Sequence, residues 1–404
     1  MVAACPFPSP QGSQVLVRQL CQQLVRRGHR VDLLTYGQGR RVEDEGYEHH
    51  RIRRLPGDDA SRSGPTPAKP MLDAMMVVAL GRLLRAGANV PYDVVHCHNY
   101  EAAMIGLAAR TRHRVPVVYH SHNLMGDELP TYFRADPVRR AAGRLGIFLD
   151  SSIPRRADHA IALCEYSADI LRGAGVKADR LSVIPPAIDD PGPARSCRAA
   201  RLDLYRLQPV EPLSAQIADE DHVIGYCGNL DAYQNLELLL EGFKRVAAAS
   251  SRSVKLLVAT HTRDESLVKT ILHSGIERSV RLVQMEDFVQ ARIAMEASDV
   301  LVLPRRAGSG YPIKLLNYLG LGRPVVTAGC GAKRIESGRD GLVVDDDDPE
   351  SLAAALLRLA TDSEASAELG AAGRRRFLAD LTWEAVLPAV ENVYSVTTEA
   401  HVSV

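Results

Sequence analysis

The sequence predicts an α/β protein built from two doubly wound domains, and three observations lead there. Short apolar runs alternate with stretches of helical periodicity along most of the 404 residues, the order that produces parallel strands joined by crossover helices. The alternation comes in two series, one ending near residue 186 and one beginning near residue 221, with a polar, Pro-containing stretch between them. Within the second series Ser298 to Val326, SDVLVLPRRAGSGYPIKLLNYLGLGRPVV, holds one complete strand, turn, helix and strand.

That stretch organises the rest. Val300 to Leu303 is an apolar run suited to a strand covered on both faces, and Pro304 stops it. Arg305 to Gly310 make a turn rich in Gly and Ser. A helical pattern follows from Tyr311, with Pro312 in its first turn and Ile313, Leu316 and Leu319 on one face, and it ends by Gly322 before a strand at Pro324 to Val326. A helix in such a unit points its free N–H groups beyond the carboxyl ends of the strands, which makes an anion site. Lys314 and Asn317, three apart, share a face beside it.

Taken in order, Met1 to Cys5 predicts a first strand, a turn through Pro6 to Gly12, and a helix from about Ser13 to Arg27 on Leu16, Leu20 and Leu24. Gly28 sits where a C-terminal cap belongs, and Val31 to Tyr36 is the next strand. Residues 37–70 read as loops around one strand. Strands are expected at Asp93 to His98, Val115 to His120, Asp158 to Cys164 and Leu181 to Ile184, with helices at about Ala102 to Arg110 and Ser167 to Gly173. Residues 187–220 read as an interdomain linker plus an insertion. The second series has strands at Val223 to Tyr226, Lys255 to Thr260, Val280 to Val283, Val300 to Leu303 and Gly341 to Val344. Asp345 to Asp348 is an N-cap and first-turn signal for a helix from Pro349 to Leu359, and helices at about Ser363 to Phe377 and from Trp383 close the chain.

Composition excludes some partners. Lys+Arg and Asp+Glu both total 49, so no global field argues for nucleic acid. The seven cysteines are scattered without a CxxC pair and read as reduced, cytosolic thiols. No spanning or targeting segment stands out, so a soluble, cytoplasmic protein is expected, and abundant Arg and Ala hint at a bacterial source.

Two His-x-His pairs, His96 with His98 and His120 with His122, stand at strand ends, where alternation puts each pair on one face. Four histidines suit zinc or iron, yet no cysteine or carboxylate is spaced to complete a recognisable set, and no metal is expected. Between Arg134 and Arg156 the chain carries Arg139, Arg140, Arg144 and Arg155, with Leu145, Ile147, Phe148 and Leu149 among them. A solvated helix face explains this most simply; peripheral contact with an anionic membrane is the other reading.

Several of these segments carry a resemblance. The Ser298 to Val326 stretch resembles the donor-site motif of the family 4 retaining glycosyltransferases of the GT-B fold, which likewise ends in Gly, any residue, Pro, Val, Val. The family pattern has two glutamates eight positions apart, and the matching positions here hold Ser309 and Asn317. Its first glycine turn often has two glycines near the donor's phosphates or sugar, matched here by Gly12 and Ser13. A His six residues after a strand Pro, counted from Pro116, is His122. Many relatives carry an Arg and, five residues on, a Lys that grip the diphosphate; here Asn229 and Gln234 occupy those positions.

The resemblance implies two Rossmann-like domains facing a cleft: residues 1–186, with the helix at 383–404 packing back on them, and residues 221–382, which bind the nucleotide sugar. It implies transfer of a sugar from a nucleotide sugar to a small-molecule or lipid-linked acceptor hydroxyl, with retention and without a metal or other cofactor. His122, then His120, are the polar groups expected at the donor sugar or acceptor; Asp127 and Glu128 stand nearby as candidate bases or, equally, as a charge pair at a helix start. Gly12, Asn229, Gln234, Arg305, Ser309, Gly310, Lys314 and Asn317 are the expected donor-binding residues, Lys314, Arg305 and Arg306 replacing the missing cations. The alternatives are a nucleotide-sugar epimerase or hydrolase on the same fold, and a nucleotide-binding scaffold without catalysis.

Overall fold

The structure is a computed structural model that describes residues 1–8, 12–39, 45–55, 66–86, 91–133, 135–306, 310–332 and 334–402. The chain divides into two compact units, residues 1–188 with 309–311 and 383–404, and residues 189–308 with 312–382.

The first unit begins with β1 (Val2–Ala3), α1 (Gly12–Arg26), β2 (Asp32–Thr35), β3 (Glu48–Arg51) and α2 (Lys69–Ala86). It continues with β4 (Val95–His98), α3 (Asn99–His113), β5 (Val117–Ser121), α4 (Met125–Glu128), α5 (Asp136–Ser152), β6 (His159–Ala162), α6 (Glu165–Gly173) and β7 (Leu181–Val183). The strands form one parallel sheet in the order β3-β2-β1-β4-β5-β6-β7. Leu16, Leu20 and Leu24 of α1 are buried, as their four-residue spacing requires of a helix packed on a sheet. Apolar residues of α2 and α3, among them Leu72, Met76, Ala102 and Ile105, belong to one core cluster with Val2, Leu34, Val95 and Val117 of the sheet.

The second unit contains α7 (Cys197–Leu204), β8 (Pro209–Ser214), β9 (His222–Cys227), α8 (Leu236–Ala249), β10 (Val254–Thr260), α9 (Glu265–Ser274), β11 (Val280–Gln284) and α10 (Phe288–Ala297). Then come β12 (Val300–Leu303), α11 (Ile313–Leu321), β13 (Val325–Thr327), α12 (Gly329–Ala332), β14 (Leu342–Val343), α13 (Pro349–Thr361) and α14 (Ser363–Asp380). Its sheet runs β14-β13-β12-β9-β10-β11-β8 and is parallel except for β8, which pairs antiparallel with β11. The stretch read as linker and insertion therefore contains a helix and an edge strand of this unit. Asp348 caps α13 by accepting from the Glu350 and Ser351 amides, as the acidic run predicts.

The last helix, α15 (Trp383–Val402), belongs to the first unit. Glu391 accepts from Arg27 Nη2 at 2.8 Å and lies 3.0 Å from His29 Nε2, while Trp383 Nε1 donates to Gln19 Oε1 at 3.1 Å. Among the described residues no helix is long and apolar enough to cross a membrane.

Each sheet has a switch point, where the chain leaves one side of a strand and resumes on the other. It lies between β1 and β4 in the first unit and between β9 and β12 in the second. Carboxyl ends of strands at such points are where doubly wound sheets hold ligands.

Candidate active site

In the second unit the segments after β9 and β12 meet. α11 delivers Lys314, whose Nζ donates to Gln234 Oε1 at 2.9 Å and to the Tyr226 hydroxyl at 3.1 Å, and lies 4.5 Å from the centre of the Tyr226 ring. Gln234 is buried; its Nε2 donates to Asn229 Oδ1 at 2.6 Å, and Asn229 Nδ2 donates in turn to Asp231 Oδ2 at 2.7 Å and to the Tyr233 hydroxyl at 3.0 Å. The Tyr226 hydroxyl donates to the Asn229 carbonyl at 2.5 Å, and burial holds it protonated far above the ordinary tyrosine range. A Cβ at Gly228 would collide with the Lys314 ammonium, so this glycine makes room for it.

Arg305 stacks on the Tyr233 ring, its guanidinium carbon 4.9 Å from the centre. Arg306 is more exposed: it donates to the Ala232 carbonyl at 3.3 Å and reaches Asp347 at 3.5 Å. α11 begins at Pro312 with no side-chain cap, and Asn317 sits half-buried one turn beyond Lys314. Gly310 has φ +88°, a left-handed conformation that a residue with a Cβ rarely adopts. Ser309 lies outside the described residues. Sequence reasoning missed Tyr226, whose place in a strand carries no local signal of what its hydroxyl touches.

In the first unit the histidines gather on one face of β4 and the end of β5. Parallel register sets His98 opposite His120. His96 and His98 stack with centroids 4.4 Å apart, and His120 and His122 are 4.7 Å apart. His98 Nδ1 lies 3.0 Å from His122 Nε2, His96 Nε2 lies 3.1 Å from His120 Nδ1, and His96 Nδ1 lies 2.6 Å from the Tyr394 hydroxyl of α15. All four are at most 4% exposed. Burial lowers His122 to about 4 and sets His96, His98 and His120 well below the ordinary imidazole value, so the cluster is neutral at physiological pH.

Gly12 is the exposed first residue of α1, just past β1 at the switch point. Asp127 of α4 accepts from the Tyr166 hydroxyl of α6 at 3.3 Å, and burial raises neighbouring Glu128, which accepts from Tyr132 at 2.5 Å. On α5, Val138, Leu145, Ile147 and Phe148 are exposed together with Arg139, Arg140 and Arg144; Arg134 lies outside the described residues.

Comparisons with known proteins agree over both units. Residues 10–190 match Glycosyltransferase Family 4, and residues 221–362 match Glycosyl transferases group 1. A D-inositol 3-phosphate glycosyltransferase of Nocardioides sp. is 24% identical over 409 residues, covering 95% of this chain and 84% of the relative. The sucrose-phosphate synthase of Thermosynechococcus elongatus superposes with a TM-score of 0.79 at 19% identity, over 98% of this chain and 96% of that one. Anabaena HepE, solved in complex with UDP and glucose, superposes with a TM-score of 0.73 at 16% identity, over 98% of both chains. The chain belongs to glycosyltransferase family 4 and is a glycosyltransferase with two Rossmann-like domains of the GT-B type.

Proposed function

We propose that this glycosyltransferase takes its sugar from a nucleotide-sugar donor and passes it to an acceptor hydroxyl with retention of anomeric configuration. The observation that carries the reading is the place of the Lys314 ammonium. It comes from α11 yet sits against Gln234, one of the two turn positions where many relatives hold cations. As the bond between the anomeric carbon and the phosphate oxygen breaks, negative charge grows on the departing diphosphate. A fixed ammonium and the N-terminus of α11 are suited to stabilise it, with Arg305 and Arg306 close by and no metal required at the phosphates. The proton of the acceptor hydroxyl leaves with the diphosphate as the new bond to carbon forms.

Asn317 would hydrogen-bond the ribose hydroxyls. His122 and His120, being neutral, would act toward the sugar or the acceptor as hydrogen-bonding groups and not as charged acids. A fold relative solved with UDP and glucose supports a nucleoside diphosphate as the leaving group.

Calorimetry with UDP, GDP and ADP, on the native protein and on Lys314→Ala, tests the donor site. One nucleotide is expected to bind, more weakly in the variant; binding of none of them would sink the assignment. Proton NMR of the first-formed product tests retention, and an inverted anomeric centre would overturn that part alone.

A further inference from the structure

The histidine cluster holds more imidazole than the transfer reaction uses. One ring nitrogen from each of His96, His98 and His120 lies within 4.8 Å of those of the other two, and all three residues are buried. Among the described residues His98 Nε2 is buried without a hydrogen-bond partner. A buried polar atom left unpaired is costly, and a bound ion is one of the groups that satisfy such atoms in native proteins.

We propose that His96, His98 and His120 form a binding site for a divalent transition-metal ion of the zinc class. An all-imidazole set suits Zn²⁺ and its neighbours and does not suit Mg²⁺ or Ca²⁺, which take oxygen ligands. Three histidines are also the protein ligands of catalytic zinc in carbonic anhydrase, where the fourth position stays open. The separations fit. Two nitrogens on a tetrahedral zinc at about 2.0–2.1 Å are about 3.3 Å apart, and His96 Nε2 and His120 Nδ1 stand 3.1 Å apart.

The surroundings match what metal-binding histidines need. A ligating imidazole is oriented through its other nitrogen. His96 Nδ1 is held by the Tyr394 hydroxyl and His98 Nδ1 by His122, which leaves Nε2 of each ring for the ion. His120 completes the set from the neighbouring strand. The ion ties β4 to β5 and, through Tyr394, braces α15. This site lies wholly within the first unit; with His120 on the ion, His122 alone is left to face the sugar or acceptor, and the nucleotide assignment at Lys314 is unaffected.

The test uses the full chain, stripped with a chelator and titrated with Co²⁺, followed by its visible d–d bands and by competition with Zn²⁺. One equivalent is expected, with the intense bands of four- or five-coordinate cobalt, displacement by zinc, and a melting temperature that rises on loading. His98→Gln and His120→Gln should each remove the bands. Tyr394→Phe should weaken binding about 10–100-fold, the usual cost of losing an orienting partner. Bands that survive in the His98→Gln/His120→Gln double variant, or no binding at all, overturn the site. Should the variants not fold, X-ray absorption on the zinc-loaded native protein decides. Imidazole nitrogens at about 2.0–2.1 Å support the site, and a shell of oxygens alone refutes it.

Discussion

Lys314 Nζ lies 2.9 Å from Gln234 Oε1, although 80 positions separate the two residues in the chain. The helix after β12 thus brings its cation to the turn after β9, where the local sequence has no cation of its own. Lys314→Ala is expected to weaken nucleoside diphosphate binding about 10–100-fold, since hydrogen bonds to charged groups are worth about 1.5–3 kcal/mol. Binding of the bare nucleoside should change little. Adding Gln234→Lys to that variant restores an ammonium from the other side of the contact and should recover part of the loss by calorimetry. Equal losses for nucleoside and nucleotide would show that Lys314 supports the fold and not the phosphates.

Gly228 gives a second handle on the same cation. A methyl group there would occupy the space of the Lys314 ammonium, and the glycine has φ +154°. Gly228→Ala should therefore reduce nucleoside diphosphate affinity in the same direction as Lys314→Ala while Lys314 itself is intact. Combined with Lys314→Ala, it should add little further loss of affinity, because both changes act on one contact. Fully additive losses would separate the two.

Glu296 is fully buried and is held by Arg195 Nε at 2.6 Å and Arg292 Nε at 2.9 Å, which fastens residues 191–195 to α10. Burial alone would raise its pKa, but the arginine hydrogen bonds more than offset that, and the carboxyl ends below its ordinary value. A carboxyl whose folded value is depressed contributes stability that is present above its unfolded value and is lost as pH falls through the folded one. Glu296→Gln should destabilise the protein at pH 7 by about 1.5–3 kcal/mol, the worth of hydrogen bonds to a charged group whose arginine partners reach solvent, and should make the melting temperature less sensitive to acid below about pH 4.5. Parallel acid profiles for native and variant proteins would refute the linkage.

The strand, turn, helix and strand at Ser298 to Val326 were legible because each boundary has a local cause. An apolar run ends at Pro304, the structure begins α11 directly after Pro312, and Gly322 caps its end with φ +73°. The pairing of His96 with His98 followed from strand alternation, whereas β5 ends at Ser121 and the place of His122 beside His120 is set by the turn after it. β8 was not legible, since Pro209 and Pro212 argue against a strand; prolines are tolerated here because β8 lies at the edge of its sheet. The Lys314–Gln234 contact and the hold of Tyr394 on His96 were hidden for another reason. Each joins residues far apart in the chain, and only the packed sheet sets their distance.

The exposed side of α5 carries the last prediction. Val138, Leu145 and Phe148 recur at helical spacing, and Arg140, Arg144 and Ile147 form the adjoining stripe. Leu145, Ile147 and Phe148 are 53%, 64% and 60% exposed, an unusual amount of large apolar surface for one helix, and Arg139 is shared with Asp136 at 2.7 Å. Apolar side chains bordered by arginines match an anionic lipid surface, where each basic group near the surface adds about 1 kcal/mol. The native protein should therefore co-sediment with vesicles of an anionic phospholipid, less with vesicles of a zwitterionic one, and less again as salt is raised. Arg140→Gln with Arg144→Gln should weaken anionic binding about 10–30-fold by that measure. Ile147→Ser with Phe148→Ser should remove the salt-resistant part. No sedimentation with anionic vesicles at low salt would leave α5 as a solvated face, and a lipid-linked acceptor would then have to be met elsewhere.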